Sequence, residues 1–155
     1  MKGVIAELHQ LLQTYVPVFS KISMMEFSDK PVPGKWSKKE IVGHLIDSAQ
    51  NNLRRFIAVQ TEKNPHIVYD QDHWVASNDY QNMDAEEVIM LWKLMNERIC
   101  VVLKNMNPEN YERTVNTGIE KISLKTIAWL AEDYVKHLKH HINQVLPGSF
   151  NITYP

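Results

Sequence analysis

One cysteine, Cys100, stands in a chain of 155 residues, so no intramolecular disulfide framework holds the fold together. A reducing cytoplasm suits such a chain. No apolar run approaches the roughly 18 to 20 residues that span a bilayer. The N-terminus Met1-Lys-Gly-Val-Ile5 also lacks the apolar core of a secretory signal. Charge of one sign is missing too: 17 Lys and Arg against 18 Asp and Glu give a formal net charge of -1. Nucleic acid and anionic membrane both favour clustered Lys and Arg, so a small-molecule substrate is the expected partner. Repeats, low-complexity tracts and sustained strand-like alternation are absent, and no linker divides the chain. One domain over residues 1–155 is expected.

Four segments carry hydrophobic residues at the helical period. The first uses Ile5, Leu8, Leu12, Tyr15, Phe19 and Ile22, with Pro17 predicting a kink or break near Val16. The second opens on Ser37-Lys-Lys-Glu40, a capping box, with Trp36 and Ile41 placed as a hydrophobic staple. Its apolar line continues through Leu45, Ser48, Asn52 and Phe56, and His44 lies at the edge of that line. The third is capped by Asp84 and Glu87, with a seam of Val88, Leu91, Met95, Ile99, Val102 and Met106. The fourth runs from about Ser123 to Leu146 and stops at Pro147-Gly148. The polar stretch from Thr61 to Met83 is longer than an ordinary helix connection and reads as a cover or crossover. Together these features predict an all-α four-helix bundle with two long inter-helix connections.

Chemistry concentrates in the last segment. His137 and His141 are four residues apart, so both imidazoles lie on one helix face, in a seam formed by Ile127, Leu130, Tyr134 and Val145. Buried neutral imidazoles need partners for their nitrogens, and a divalent cation, zinc or nickel, satisfies one nitrogen of each. His44 on the facing helix is the best third ligand. The competing reading is a hydrogen-bonded core pair. His140 lies about 100 degrees around the helix from His141 and reads as a flanking residue.

Carboxylates sit close by in sequence. Asp133 precedes His137 by one turn, Asp47 follows His44 by three residues and Glu40 precedes it by four. Asp47 and Glu40 are therefore candidates to orient the His44 ring or to act as a base, though the capping box already accounts for Glu40. In the long connection, Asp72 and His73 could approach the site, while Trp74 and Tyr80 line a pocket or fill core. Asn51, Asn52 and Arg55 follow His44 and could touch a polar ligand. Cys100 reads as packing, and the methionines Met90, Met95 and Met106 as core filling or a dimer face.

Gly34-Lys-Trp-Ser-Lys-Lys-Glu-Ile-Val-Gly-His-Leu-Ile-Asp-Ser-Ala49, taken with Asp133-Tyr-Val-Lys-His-Leu-Lys-His-His-Ile-Asn-Gln144, resembles the DinB/YfiT-like superfamily over nearly the whole length. The resemblance implies a usually dimeric four-helix bundle holding a divalent ion by one histidine of helix two and two of helix four. Carried over, these are His44, His137 and His141. It further implies a metal-dependent hydrolase or a transferase of low-molecular-weight thiols such as bacillithiol or mycothiol. Three neutral imidazoles leave a coordination position open, and a bound cation can bring a water pKa to about 7 or deprotonate a thiol, so both reactions suit the ligand set. A non-catalytic, metal-stabilised binding module is the third reading. Trp92 and Leu103 are the expected exposed apolar contributors to a homodimer face.

Overall fold

The computed structural model describes residues 1–154. Six α-helices run in the order α1 (Lys2–Phe19), α2 (Met24–Ser28), α3 (Lys38–Ala58), α4 (Gln71–Asn78), α5 (Ala85–Asn105) and α6 (Ile127–Val145). The long helices α1, α3, α5 and α6 form a four-helix bundle. In it α3 packs on α5 and α6, and α1 closes against α5 and α6. One hydrophobic cluster runs through all four, from Leu8 to Val145.

Local chemistry sets the helix starts. The Ser37 hydroxyl accepts from the Glu40 amide at 3.1 Å, and the Glu40 carboxylate accepts from the Ser37 amide at 2.8 Å, completing the expected capping box. Asp84 caps α5 by accepting from the Glu86 and Glu87 amides. Thr126 caps α6 through the Trp129 amide, so α6 begins at Ile127 rather than at Ser123. The intervening residues Leu124–Thr126 form β2, paired antiparallel with β1 (Thr114–Asn116) in a two-stranded hairpin. Three-residue strands are too short to leave an alternating signature.

Pro17 does not break the first helix where expected. It sits in the last turn of α1, where its missing amide removes a single bond, and the helix ends at Phe19. A new N-cap at Ser23 then starts α2. The long connection contains α4, whose cap Asp70 accepts from the Asp72 and His73 amides.

The buried face of α5 differs from the expected seam. Its core residues are Val88, Ile89, Trp92, Asn96, Ile99, Cys100 and Leu103, while Leu91 is exposed. The helix is pressed between α1 and α3, so the contact stripe is wider than one a/d seam and centred one position later. Trp92 and Leu103 are both 0% exposed, which removes them from any dimer face. Cys100 is buried, and desolvation with help from Glu97 pushes its thiol up to about 11, in keeping with a packing role.

Candidate metal centre

Polar side chains are not spread evenly through this interior. Among the described residues, seven of the nine buried polar or charged side chains lie on α3. A helix that buries Glu40, His44, Asp47, Ser48, Asn51 and Asn52 together is arranged for more than packing.

His44 on α3 is buried, and His137 and His141 on α6 are half-buried. Their rings converge, with centroids 5.1 Å apart for His44 and His137, 4.6 Å for His44 and His141, and 4.4 Å for His137 and His141. One nitrogen from each ring lies within 4.8 Å of the others. The Nε2 atoms of His44 and His137 are 3.1 Å apart. Two nitrogens sharing one zinc at about 2.0–2.1 Å each are separated by roughly 3.3 Å, so this pair already has the spacing a shared cation requires.

The remaining ring nitrogens explain the orientation. His137 Nδ1 is 3.4 Å from Ser48 Oγ, and His141 Nδ1 is 2.8 Å from Gln144 Oε1. An amide oxygen only accepts, so His141 donates from Nδ1 and keeps a lone pair on Nε2. Gln144 is itself fixed, because its Nε2 donates to His140 at 3.1 Å. Ser48 can hold His137 in the same tautomer. His44 is clamped by the Trp36 ring at 5.0 Å, and its Nδ1 is buried without a partner.

Burial keeps these imidazoles neutral. Desolvation, then the charge of His141, pushes His44 down to about 3; desolvation pushes His141 down to about 4; and His137 is held well below its ordinary range by desolvation and by the other histidines. Neutral imidazole is the form that ligates a cation. The donor set thus fits a divalent ion in spacing and protonation, and at His141 in tautomer as well.

The carboxylates are engaged elsewhere. Glu40 closes the capping box and accepts from Lys30 Nζ at 2.7 Å. Asp47 is fully buried, and its Oδ1 accepts from the Tyr80 hydroxyl at 2.7 Å and from Asn78 Nδ2 at 2.9 Å. Desolvation raises its carboxyl to about 6 despite those two hydrogen bonds. Tyr80 is therefore a core residue that ties α3 to the end of α4. Asp133 accepts from the Tyr154 hydroxyl at 3.2 Å and makes no bond to His137. Neither Glu40 nor Asp47 is hydrogen-bonded to a histidine of the cluster.

Two cavities flank the cluster. An open groove of about 520 Å³ reaches His141 and Gln144 between Trp36 and Asp72, so Asp72 does border the site. A smaller one of about 170 Å³ lies on the other side, against His137, Ser48, Asn52 and Arg55. His73 and Trp74 line a separate depression with Asn78. Ser48, Gln144 and Tyr154 went unpredicted as site residues. Gln144, three residues after His141 on one helix face, carried the only local signal.

A four-helix bundle whose second and last long helices bring three neutral imidazoles to one point defines a class of metal-site proteins. Residues 7–145 match the profile of the DinB superfamily, and the chain belongs to that family. It is 32% identical over 113 residues to a provisionally named metal-dependent hydrolase of Oceanobacillus iheyensis, covering 72% of this chain and 64% of the relative. A similarly named protein of Bacillus cereus is 27% identical over 111 residues, covering 68% of this chain and 64% of its own length. The matched segment thus spans less than two-thirds of these relatives. Among solved structures, YfiT from Bacillus subtilis, provisionally described as a metal-dependent hydrolase with an unusual four-helix bundle topology, superposes with a TM-score of 0.83. It shows 22% identity over 93% of this chain and 82% of its own. The mycothiol-dependent maleylpyruvate isomerase superposes with a TM-score of 0.73 at 11% identity, over 91% of this chain and 59% of its own. Among the described residues, no helix is long and apolar enough to cross a membrane.

Proposed function

We propose that this protein is a metal-dependent hydrolase acting on a small molecule, with His44, His137 and His141 as the ligands of one divalent cation, zinc or nickel. The observation that carries this reading is the convergence of three neutral imidazoles from α3 and α6, with His141 Nδ1 committed to Gln144 so that Nε2 faces no competing partner. A cation bound there supplies Lewis acidity, which activates water toward hydrolysis. The chain's own part is to keep the imidazoles neutral by burial, to fix their tautomers through Ser48 and Gln144, and to admit substrate through the groove beside His141. Glu40 and Asp47 are assigned to holding the start of α3 and the end of α4, and any proton they relay reaches the site indirectly.

The test is metal analysis joined to a substrate screen. Purified protein is expected to carry close to one divalent ion per chain, and His137→Ala to lose it while keeping its helical circular dichroism. Turnover of ester, amide or phosphoester substrates should follow the metal. Retention of the ion by the mutant would remove the ligand assignment.

Metal-dependent thiol transfer is the second reading, supported by the likeness to the mycothiol-dependent isomerase and by a ligand set that activates a thiol as readily as water. Dye-conjugation assays with bacillithiol, mycothiol, glutathione and coenzyme A separate the two, since thiol-dependent turnover belongs to transfer alone. The homodimer enters as a proposal as well, to be tested by light scattering.

A further inference from the structure

Arg55 projects from α3 two turns beyond Ser48, into the 170 Å³ cavity whose wall includes His137. Three of its five N–H groups are used within the protein. Nε and Nη2 donate to the Ile67 carbonyl at 3.2 and 2.9 Å, and Nη1 donates to Asn52 Oδ1 at 3.3 Å. One hydrogen on each terminal nitrogen is left over. Among the described residues, no carboxylate comes within the 4.0 Å of an ion pair.

The same cavity is bordered by a charge of opposite sign. Asp133 on α6 lines it, with Oδ2 taken by the Tyr154 hydroxyl and, among the described residues, no donor on Oδ1. Arg55 and Asp133 are near enough for each to feel the other's field, yet they do not touch. Partly buried opposite charges ordinarily close into a pair, because each lowers the desolvation cost of the other. Here both line one polar space with room for on the order of five waters. A guest with an anionic and a cationic group side by side completes both.

We propose that this cavity is the subsite for the head of an α-amino acid or an amino-acid derivative, with Arg55 receiving its carboxylate and Asp133 its ammonium. His137 forms the wall shared by the cavity and the imidazole cluster, so the rest of such a molecule abuts the candidate metal centre. The inference rests on the hydrolase reading for its chemistry and names the substrate class of that same site.

The experiment uses the side-chain Nε–H resonance of Arg55 in ¹⁵N-labelled protein, titrated with L-serine, with acetate and with ethylammonium, in both zinc-loaded and metal-free protein. L-serine is expected to give a saturable shift, with each single-charge probe binding about tenfold or more weakly. Asp133→Asn keeps an acceptor for Tyr154 and should bring L-serine down to the level of acetate. Arg55→Lys, followed by calorimetric titration because it lacks the reporting Nε–H, keeps the charge but not the fork, and should weaken L-serine about tenfold at unchanged zinc content. Acetate matching L-serine in the wild-type protein would overturn the proposal in favour of a simple anion pocket; no saturable shift with any probe would leave a water-filled cavity and overturn it too. Failure of the protein to hold zinc would sink the hydrolase reading, while the metal-free titration still decides the amino-acid site.

Discussion

Ser48 and Gln144 touch the cluster only through its outward nitrogens, at His137 Nδ1 and His141 Nδ1, yet the Gln144 amide oxygen decides which nitrogen of His141 is free. Replacing Gln144 by Ala is expected to weaken zinc affinity about 10- to 100-fold with no change in stoichiometry, as read by competition with a chromophoric chelator. The same burial has a pH signature in the metal-free protein. Imidazoles that titrate near 6.5 in the unfolded chain stay unprotonated until about 3 at His44 and about 4 at His141. Between those limits the unfolded state binds protons the native state refuses, so stability falls as pH falls. Asp47 works in the opposite direction: its native carboxyl takes a proton at about 6, against 3.8 when unfolded, so that contribution to stability grows on acidification. Three imidazoles outweigh the two carboxyls that burial raises, Asp47 and Asp133. The urea midpoint should therefore drop from neutral pH into the acid range, and drop more steeply in Asp47→Asn; a midpoint that rises on acidification would show that the imidazoles are not held neutral. At this scale the histidines were legible, because a four-residue spacing on an apolar seam is a local pattern. The Ser48 contact and the Tyr154 ring 5.7 Å from His137 were not, since both depend on tertiary approach.

The helix α3 is held at its start by the Ser37 capping box and along its length by a close passage against Tyr80. A Cβ added at Gly43 would lie 2.2 Å from Tyr80 Cδ2, and the ring cannot swing aside without giving up its hydroxyl bond to Asp47. Gly43→Ala should therefore lose stability by about 1–3 kcal/mol by urea denaturation, although alanine is the better helix former. An unchanged or raised midpoint would mean that the α3–α4 contact is loose. Ser37 also donates from Oγ to Gln81 Oε1 at 2.7 Å, so Ser37→Ala removes both a cap and a tie to the long connection, at about 1–2 kcal/mol. Such starts were readable from Ser37, Glu40 and Asp84 alone, because a cap is an interaction over three residues. The hairpin was hidden by the brevity of its strands. The face of α5 was misplaced by one position because Trp92 is buried between two neighbouring helices, which no pattern within α5 can report.

Over the whole molecule, the candidate ligands join chain positions 93 residues apart, His44 on α3 and His137 on α6. A cation there acts as a clip between two helices that otherwise meet through side-chain packing, and it exists only in the folded state because the unfolded chain does not bring the imidazoles together. Binding to the native state alone stabilises it by about 2.7 kcal/mol when free metal exceeds its dissociation constant a hundredfold, which for a chain of this size raises Tm by about 5–11 °C. The shift should grow with the logarithm of zinc concentration, reverse on adding a chelator, vanish in His44→Ala and His137→Ala, and persist in His140→Ala, whose Nε2 is occupied by the Gln144 amide. A melting temperature that ignores zinc in the wild-type protein would mean that the three rings meet without binding an ion. A shift lost equally in His140→Ala would move the ligand set by one position along α6.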